Sequence, residues 1–387
     1  MFVTIVLDGV GIGAQPDADG YGDVGAHTLG HVCAAERPHL PNLARLGLGR
    51  LADLAGVPAV EAPAADFGVM EEVSAGKDST TGHWELAGLR LDRPFPTYPH
   101  GFPPEVVERF VTATGCGGVL ANKPASGTAV IAEYGAEHVR TGRPILYTSA
   151  DSVFQVAAHK GVVPLETLYA WCRTAREEVC VGEHAVGRVI ARPFVGEEGA
   201  YERVASERRD FSRKPTDRTL QEALQAAAVT TVAVGKIGDL FGDVGFDRVL
   251  ASKGNDEGVE RTLGAIRDGD DRTFIWTNLV DFDQLYGHRN DPAGFARALE
   301  AFDRALPDLL GALPPGARLA ITADHGNDPC FPGTDHTRER VPLLLYQNGA
   351  EAEGRPLGLR RTFADHAASV AAHFGVGFRG SGASFLG

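Results

Sequence analysis

Apolar and β-branched residues gather in short runs at 2–7, 145–148, 187–191, 229–234, 273–280, 318–322 and 341–346, a pattern that predicts buried strands. Between these runs, apolar positions recur at steps of three and four over 165–178, 219–228, 259–267, 293–313 and 362–374, the period of amphipathic helices. Pro307 lies inside the fourth of these and is expected to kink it. Strands alternating with helices predict an α/β fold with a mostly parallel sheet covered on both faces. The middle of the chain departs from this rhythm. A proline-rich stretch from Phe95 to Pro104 and a charged one from Arg208 to Thr216 read as crossings into and out of an inserted module. The predicted division is a discontinuous core, residues 1–96 and 216–387, carrying an α+β cap over 97–215.

Composition narrows the function classes. At ~150 residues per domain, 387 residues allow two or three domains. No internal repeat is visible, and no apolar run approaches the ~18 residues of a membrane span. Residues 2–7 lack the basic leader and cleavage site of a signal peptide. Lys and Arg number 37 against 51 Asp and Glu, a net charge of −14, which argues against nucleic acid or an anionic membrane as partner. Only six of the bases are lysines, so each is of interest as a compact point charge. The five cysteines are scattered without C-x-x-C spacing, so neither a disulfide framework nor a thiolate zinc site follows. Reduced, buried thiols in a cytoplasmic protein are expected.

The chemistry lies at strand ends. The run FVTIVL stops at Asp8, TFIWTNLV runs into Asp281 and Asp283, and RLAIT leads to Asp324 and His325. In parallel α/β sheets, ligands bind beyond the carboxyl ends of the strands. One strand-end Asp is usually a turn or helix cap. Here three strands share the feature, and His288 and His336 follow close behind. Asp8, Asp283, His288, Asp324, His325 and His336 make a carboxylate–imidazole set without thiolate, suited to Mn²⁺, Zn²⁺ or Fe²⁺ rather than Ca²⁺. Six protein ligands are too many for one ion with an open position and fit two.

A second anomaly is GKDSTTGHWE, residues 76–85. Its Ser and Thr residues fit a simple helix start. They equally fit a hydroxyl nucleophile at a helix N-terminus, where backbone N–H groups favour a phosphoryl anion. Two nearby cations make the nucleophile the stronger reading.

At this point a series of motifs resembles the phosphopentomutases of the alkaline phosphatase superfamily, over essentially the whole chain: LDGVGIGAQPDA, GKDSTTGHWELAG, NKPASGT, YTSADSVFQ, GRVIARPFVG, VGKIGD, NLVDFDQLYGHRND and TADHGNDPCFPGTDHTRE. The related cofactor-independent phosphoglycerate mutases share the metal logic but not the cap motifs. The resemblance implies an alkaline-phosphatase-like core and a substrate-binding cap that excludes water. It implies two Mn²⁺ per chain, one on Asp8, Asp324, His325 and the nucleophile's oxygen, the other on Asp283, His288 and His336. Asp281 is left as a turn or supporting residue. The family usually has Thr after Lys-Asp; this chain has Ser79, with Thr80 and Thr81 behind it, and Ser79 is favoured as the phosphorylated nucleophile. Asp151 is expected to bond ribose hydroxyls, and Arg188, Arg203 and Lys236 to face the distal phosphate.

The implied reaction interconverts α-D-ribose 1-phosphate and ribose 5-phosphate, and the 2-deoxyribose pair, through a phosphoenzyme and a pentose 1,5-bisphosphate. Priming by glucose 1,6-bisphosphate or a similar sugar bisphosphate is implied with it, as is a place in nucleoside and pentose phosphate metabolism. The partners are then small pentose phosphates, with no nucleic acid, membrane or obligate protein partner. Two rivals share parts of this reading. A metal-dependent phosphomonoesterase of the same superfamily has the same ligands but releases phosphate. A non-catalytic sugar-phosphate binding protein forms no phosphoserine.

Overall fold

Six consecutive buried side chains make Phe2–Leu7 the central strand β1 of this computed structural model, which describes residues 1–149, 151–350 and 352–386. The first stretch of the chain continues with α1 (Thr28–Glu36), α2 (Pro41–Leu46), β2 (Asp66–Met70) and α3 (Ser79–Leu86). The middle holds β3 (Leu120–Pro124), β4 (Ile145–Thr148), β5 (Val153–His159), β6 (Arg188–Val195), β7 (Glu202–Arg203) and β8 (Arg209–Ser212). Its helices are α4 (Pro104–Thr114), α5 (Gly127–Thr141) and α6 (Leu165–Thr174). The last stretch has β9 (Thr230–Val234), β10 (Arg248–Leu250), β11 (Thr273–Leu279), β12 (Arg318–Thr322), β13 (Val341–Gln347) and β14 (Pro356–Arg360). Its helices are α7 (Leu220–Ala226), α8 (Ile237–Phe241), α9 (Asn255–Asp268), α10 (Pro292–Ala312) and α11 (Ala364–His373).

The chain divides into two compact units, Met1–Pro94 with Pro215–Gly387, and Phe95–Lys214. The first is built on an eight-stranded sheet in the order β10-β9-β11-β1-β12-β13-β2-β14. Every neighbouring pair is parallel except the two made by β13, so a single strand runs against the rest. Side-chain alternation along β11 assigns the helix layers. Trp276 packs at 5.3 Å on Phe241 of α8 and 5.6 Å from His366 of α11, whereas Thr277 turns the other way and bonds Thr262 of α9 at 2.7 Å. Helices therefore cover both faces, as an α/β fold requires.

The second unit carries β3-β4-β5-β6-β7, with β8 also on β6. Phe154, Val156 and Val189 face α4 and α6, while Ile145, Ala157 and Phe194 face α5.

The structure corrects several sequence expectations. The charged stretch from Arg208 to Thr216 is not only a crossing, since four of its residues form β8 against β6. Strands β2, β3, β5, β7, β10 and β14 also went unpredicted; β3 carries Pro124 and β14 both Pro356 and Gly358, residues that weaken the strand signal. Pro307 lies inside α10, which runs continuously from Pro292 to Ala312. A proline leaves the carbonyl four residues back without its helical donor. Asn42 Nδ2 supplies the missing donor to Asp303 O at 2.9 Å, and the Asp303 carboxylate accepts the Asn42 and Leu43 amides at 3.2 and 2.7 Å. The cysteines are all free, but Cys330 is exposed rather than buried.

Two histidines of α11 set a pH response. His366 is fully buried between Leu86 O and Thr4 Oγ1, each 2.8 Å away, and burial pushes its pKa down to about 4; His373 is pushed down to about 4 as well. Below about pH 6.5 the unfolded chain takes up protons at these rings that the folded chain does not. Their contribution to stability is complete above that pH and is lost as pH falls toward 4. The gap between urea midpoints at pH 7 and pH 5 is expected to shrink in His366→Gln, and an unchanged gap would exclude this ring as a source.

Candidate active site

The parallel register brings three strand ends together. Leu7 of β1 lies beside Leu279 of β11, and Val6 lies beside Thr322 of β12. Asp8, Asp283 and Asp324 therefore emerge at one edge of the sheet, all buried. Asp8, Asp324 and His325 form one group able to hold a metal ion, and Asp283, His325 and His336 another. His325 is thus common to both: its Nε2 stands 3.4 Å from Asp8 Oδ1 and 3.4 Å from Asp324 Oδ2, and its ring centroid is 4.0 Å from that of His336. His288 Nε2 approaches Asp283 Oδ2 at 3.4 Å and His336 Nε2 approaches Asp283 Oδ1 at 3.2 Å.

These side chains fit divalent cations on their own geometry. Asp324 Oδ2 and His336 Nε2 are buried and make no well-aligned hydrogen bond; they only face charged partners, Asp324 Oδ2 at 3.1 Å from His83 Nδ1 and His336 Nε2 at 3.2 Å from Asp283 Oδ1, so lone pairs remain for an ion. His288 Nδ1 and His325 Nδ1 donate to Thr334 O and Gly326 O at 2.7 and 3.0 Å, so each ring presents Nε2 to the cluster. Supporting groups orient the carboxylates: Asn278 Nδ2 donates to Asp8 at 3.1 Å, Asn327 Nδ2 to Asp283 at 2.7 Å and the Gly9 amide to Asp324 at 3.1 Å.

Electrostatics in the cluster are mutual. Burial alone opposes ionisation of Asp283, but His336, His288 and His325 hold its carboxyl well below the usual carboxylate range. Burial likewise opposes the charge on His325, yet Asp324, Asp8 and Asp283 hold it well above an ordinary imidazole. His288 is raised to about 9, its burial outweighed by Asp283. Without cations, the raised imidazoles of His325 and His288 balance the carboxylates.

Ser79 opens α3 at the same place. Its Oγ lies 3.1 Å from His325 Nε2 and 3.4 Å from Asp8 Oδ1. The helix cap is Asp78, one residue before the expected Ser/Thr start, and it accepts the Thr80 and Thr81 amides at 3.0 and 3.1 Å. The Thr81 hydroxyl is spent on the same carboxylate at 2.5 Å. A Cβ on Gly82 would come within 2.1 Å of Asp324 O, so only glycine lets α3 approach the ligand strand this closely.

The loop before Ser79 is held by residues that the motif spacing did not expose. Arg338, 2% exposed, donates to Ser74 O and Gly76 O at 2.9 and 2.6 Å and pairs with Glu72 at 2.6 Å and Asp17 at 3.0 Å. Buried Glu85 accepts the Val73 and Ser74 amides at 3.0 and 2.6 Å, and the Phe363 amide at 3.0 Å. Neither residue type at these positions signals such a role without the fold. Removing one partner of a buried pair strands the other, which costs ~3–5 kcal/mol. Arg338→Met is expected to lower unfolding free energy by about that amount in urea titration, with activity lost in parallel.

The remaining predicted residues separate. Lys236, at the start of α8, places Nζ 3.9 Å from Asp8 Oδ2, beside the metal-ligand cluster. Lys77 is taken by Asp23 at 3.0 Å and Asp335 at 3.4 Å. Asp281 accepts the Asn255 amide at 2.7 Å and so caps α9. In the second unit, Arg188 stands 3.8 Å from Asp151 and 3.6 Å from Asp210. Arg203 is not with them. It pairs with Phe194 at the other end of β6, six residues from Arg188, or ~20 Å along the strand.

Known proteins match this chain over nearly its whole length. The family model described as the Metalloenzyme superfamily matches residues 1–377. The chain is 56% identical to the phosphopentomutase of Anaeromyxobacter sp. (strain K), over 97% of this chain and 95% of that one. It is 53% identical to the phosphopentomutase of Caldanaerobacter subterraneus subsp. tengcongensis, over 99% and 96% of the two chains. With the phosphopentomutase of Acetivibrio thermocellus the identity is 52%, over 100% and 98%. Among the described residues no helix is long and apolar enough to cross a membrane. With buried carboxylates and imidazoles converging on a serine at a helix N-terminus, and with relatives matched nearly end to end, the chain belongs to the phosphopentomutase family of isomerases, within the Metalloenzyme superfamily.

Proposed function

We propose that this protein interconverts α-D-ribose 1-phosphate and D-ribose 5-phosphate, and the 2-deoxyribose pair, through phosphorylated Ser79 and a pentose 1,5-bisphosphate. The observation that carries the reading is the position of Ser79 Oγ, 3.1 Å from His325 Nε2 and 3.4 Å from Asp8 Oδ1 on the first residue of a capped helix. Asp8, Asp324 and His325 would hold one Mn²⁺ with the serine oxygen, and Asp283, His288 and His336 the other. Bound divalent cations supply charge stabilisation for the attacking and leaving oxygens of an in-line phosphoryl transfer.

The residues account for the rest. A free hydroxyl of the pentose phosphate bonds to phosphorus as the P–Oγ bond of phosphoserine breaks. The proton that hydroxyl gives up is matched by the one Ser79 regains, so the step is proton-neutral. The bisphosphate then returns its other phosphoryl group to Ser79 by the reverse step. The α3 amides and Lys236 favour negative charge at the transferring group. Asp151 takes sugar hydroxyls, and Arg188 and Arg203 take phosphate oxygens through guanidinium forks. A phosphoenzyme formed this way needs priming, and glucose 1,6-bisphosphate or a similar bisphosphate is the proposed primer. The cytoplasm, where pentose phosphates and reduced thiols coexist, is the proposed compartment.

The test is an assay of ribose 5-phosphate with Mn²⁺ and primer that follows ribose 1-phosphate and free phosphate together. Ribose 1-phosphate formation without stoichiometric phosphate is the expected result. Steady phosphate release with no ribose 1-phosphate would replace the mutase by a phosphomonoesterase.

A further inference from the structure

Glu339 stands outside the ligand set, yet its carboxylate is built into the loops that carry the ligands. It is 2% exposed, and no cation opposes its burial among the described residues. Its two oxygens accept four hydrogen bonds instead. Oε1 takes the hydroxyls of Thr28 and Thr337 at 2.6 and 2.7 Å, and Oε2 takes the amides of Thr28 and Gly13 at 2.9 and 3.0 Å. A carboxylate buried without a cation is costly unless such donors fill its lone pairs. Two glycines make room for it: a Cβ on Gly326 would stand 2.4 Å from Oε1, and one on Gly11 would stand 2.4 Å from Oε2.

The donors come from three separate segments. Gly13 lies in the loop that follows Asp8, Thr28 opens α1, and Thr337 directly follows His336. The Glu339 backbone is fixed independently of its side chain by an antiparallel bridge to Ala14, with Arg340 N donating to Gly13 O at 2.9 Å and Gln15 N to Arg338 O at 3.0 Å. Thr337 forms a second bridge, to Gly326. Its amide donates to Gly326 O at 2.7 Å, and the Gly326 amide donates to Thr337 O at 3.1 Å. The same Gly326 oxygen accepts from His325 Nδ1 at 3.0 Å, which leaves Nε2 to face Ser79, Asp8 and Asp324. A shift of Thr337 therefore moves both the acceptor that orients His325 and the peptide that carries His336, two rings whose centroids are 4.0 Å apart.

We propose that Glu339 is a positioning residue of the metal site: through the Thr337 hydroxyl and the Gly326–Thr337 bridge, its carboxylate sets the placement of His325 and His336. This rests on the proposed divalent-cation site and deepens it, by assigning its support to a residue that is not itself a ligand. Groups that hold ligand side chains in place govern metal affinity because they fix ring orientation before the ion arrives.

The experiment is calorimetric titration of the full chain with Mn²⁺, with the metal-free Tm of each variant measured alongside. Thr337→Val removes the hydroxyl at nearly constant volume, and Thr337→Ser keeps it. Thr28→Val removes the other hydroxyl from the same Glu339 oxygen, so it matches the loss of one buried hydrogen bond without touching the bridge. Thr337→Val is expected to weaken Mn²⁺ binding about tenfold, and at saturating Mn²⁺ to lower kcat on a similar scale with KM for ribose 5-phosphate unchanged. Thr337→Ser is expected to bind Mn²⁺ within about threefold of wild type, and so is Thr28→Val, although its Tm falls as far as that of Thr337→Val. Glu339→Gln sets an amide N–H against these donors and should weaken Mn²⁺ binding by up to about a hundredfold. If that chain does not fold, the threonine variants carry the test on their own. Equal losses of Mn²⁺ affinity in Thr28→Val and Thr337→Val, in step with Tm, make the network purely structural and overturn the proposal. Wild-type affinity in Thr337→Val overturns it too. A wild type that binds no Mn²⁺ removes the metal reading and this one together. The affinity differences count as support whether the loaded enzyme forms ribose 1-phosphate or only releases phosphate, so failure of the mutase reading is seen separately.

Discussion

Replacing Ser79 with alanine is expected to lower kcat for ribose 1-phosphate formation by on the order of 10⁴-fold or more, because a covalent route disappears with its nucleophile. Neither neighbouring threonine can take over. The Thr81 hydroxyl is committed to Asp78 at 2.5 Å, and the amides of both threonines are fixed by the same cap. Among these three hydroxyls, the one bonded to His325 and Asp8 is that of Ser79. Ser79→Thr adds a methyl group and some rotamer stiffness while keeping the oxygen, so it should retain activity within about tenfold of wild type. Peptide mapping after incubation with labelled glucose 1,6-bisphosphate should find label on Ser79. Label on Thr80 or Thr81, or substantial turnover by Ser79→Ala, would transfer the role to another hydroxyl.

The second large effect is expected from Asp324→Asn. The Asn amide keeps the acceptor for the Gly9 amide, now 3.1 Å from Asp324 Oδ1, but removes a buried negative charge whose Oδ2 faces His83 Nδ1 at 3.1 Å and His325 Nε2 at 3.4 Å. Metal content measured by mass spectrometry should fall by one ion per chain, and kcat by roughly 10³-fold, the scale of losing one electrostatic stabiliser of a transition state. The stability of the metal-free protein should change far less than activity. In the metal-free protein Asp324 helps hold His325 well above an ordinary imidazole, so losing the carboxylate charge together with that proton costs the fold little. Adding Mn²⁺ raises the Tm of wild type by mass action, and this increment is expected to shrink in the variant. An Asp324→Asn protein that keeps its full metal content and its full Mn²⁺-dependent Tm increment would remove Asp324 from the ligand set.

Both predictions concern residues visible before any fold is known, and the reason is geometric. A strand carries its direction in its own sequence, so the residue that follows a β-branched run in a parallel sheet is already assigned to the ligand-binding edge. Asp8, Asp283 and Asp324 could be singled out on that ground, and Ser79 because hydroxyls before a helical run mark a helix N-terminus. Supporting residues carry no such local mark. Arg338 looks like any of the arginines on the chain until the fold brings it to Ser74, Gly76 and Glu72, more than 260 positions away. Asn42 is an unremarkable polar residue until Pro307 frees the carbonyl of Asp303 beside it.

By itself, then, the sequence determined the alternation of strands and helices, the strand-end carboxylates, the oxygen–nitrogen character of the ligand set and the motif series that marks the family. All of these are properties of short contiguous segments, where backbone periodicity and side-chain chemistry act directly. The tertiary structure alone decided which strands are neighbours, with β1 set between β11 and β12, and therefore that His325 stands within reach of both candidate ligand groups. It also decided that Lys77 is neutralised by Asp23 and Asp335, and that Arg203 lies at the far end of β6 from Arg188, which meets Asp151. Each of these depends on strand register and on close backbone approach between segments far apart in the chain, and no local preference encodes a distance between them.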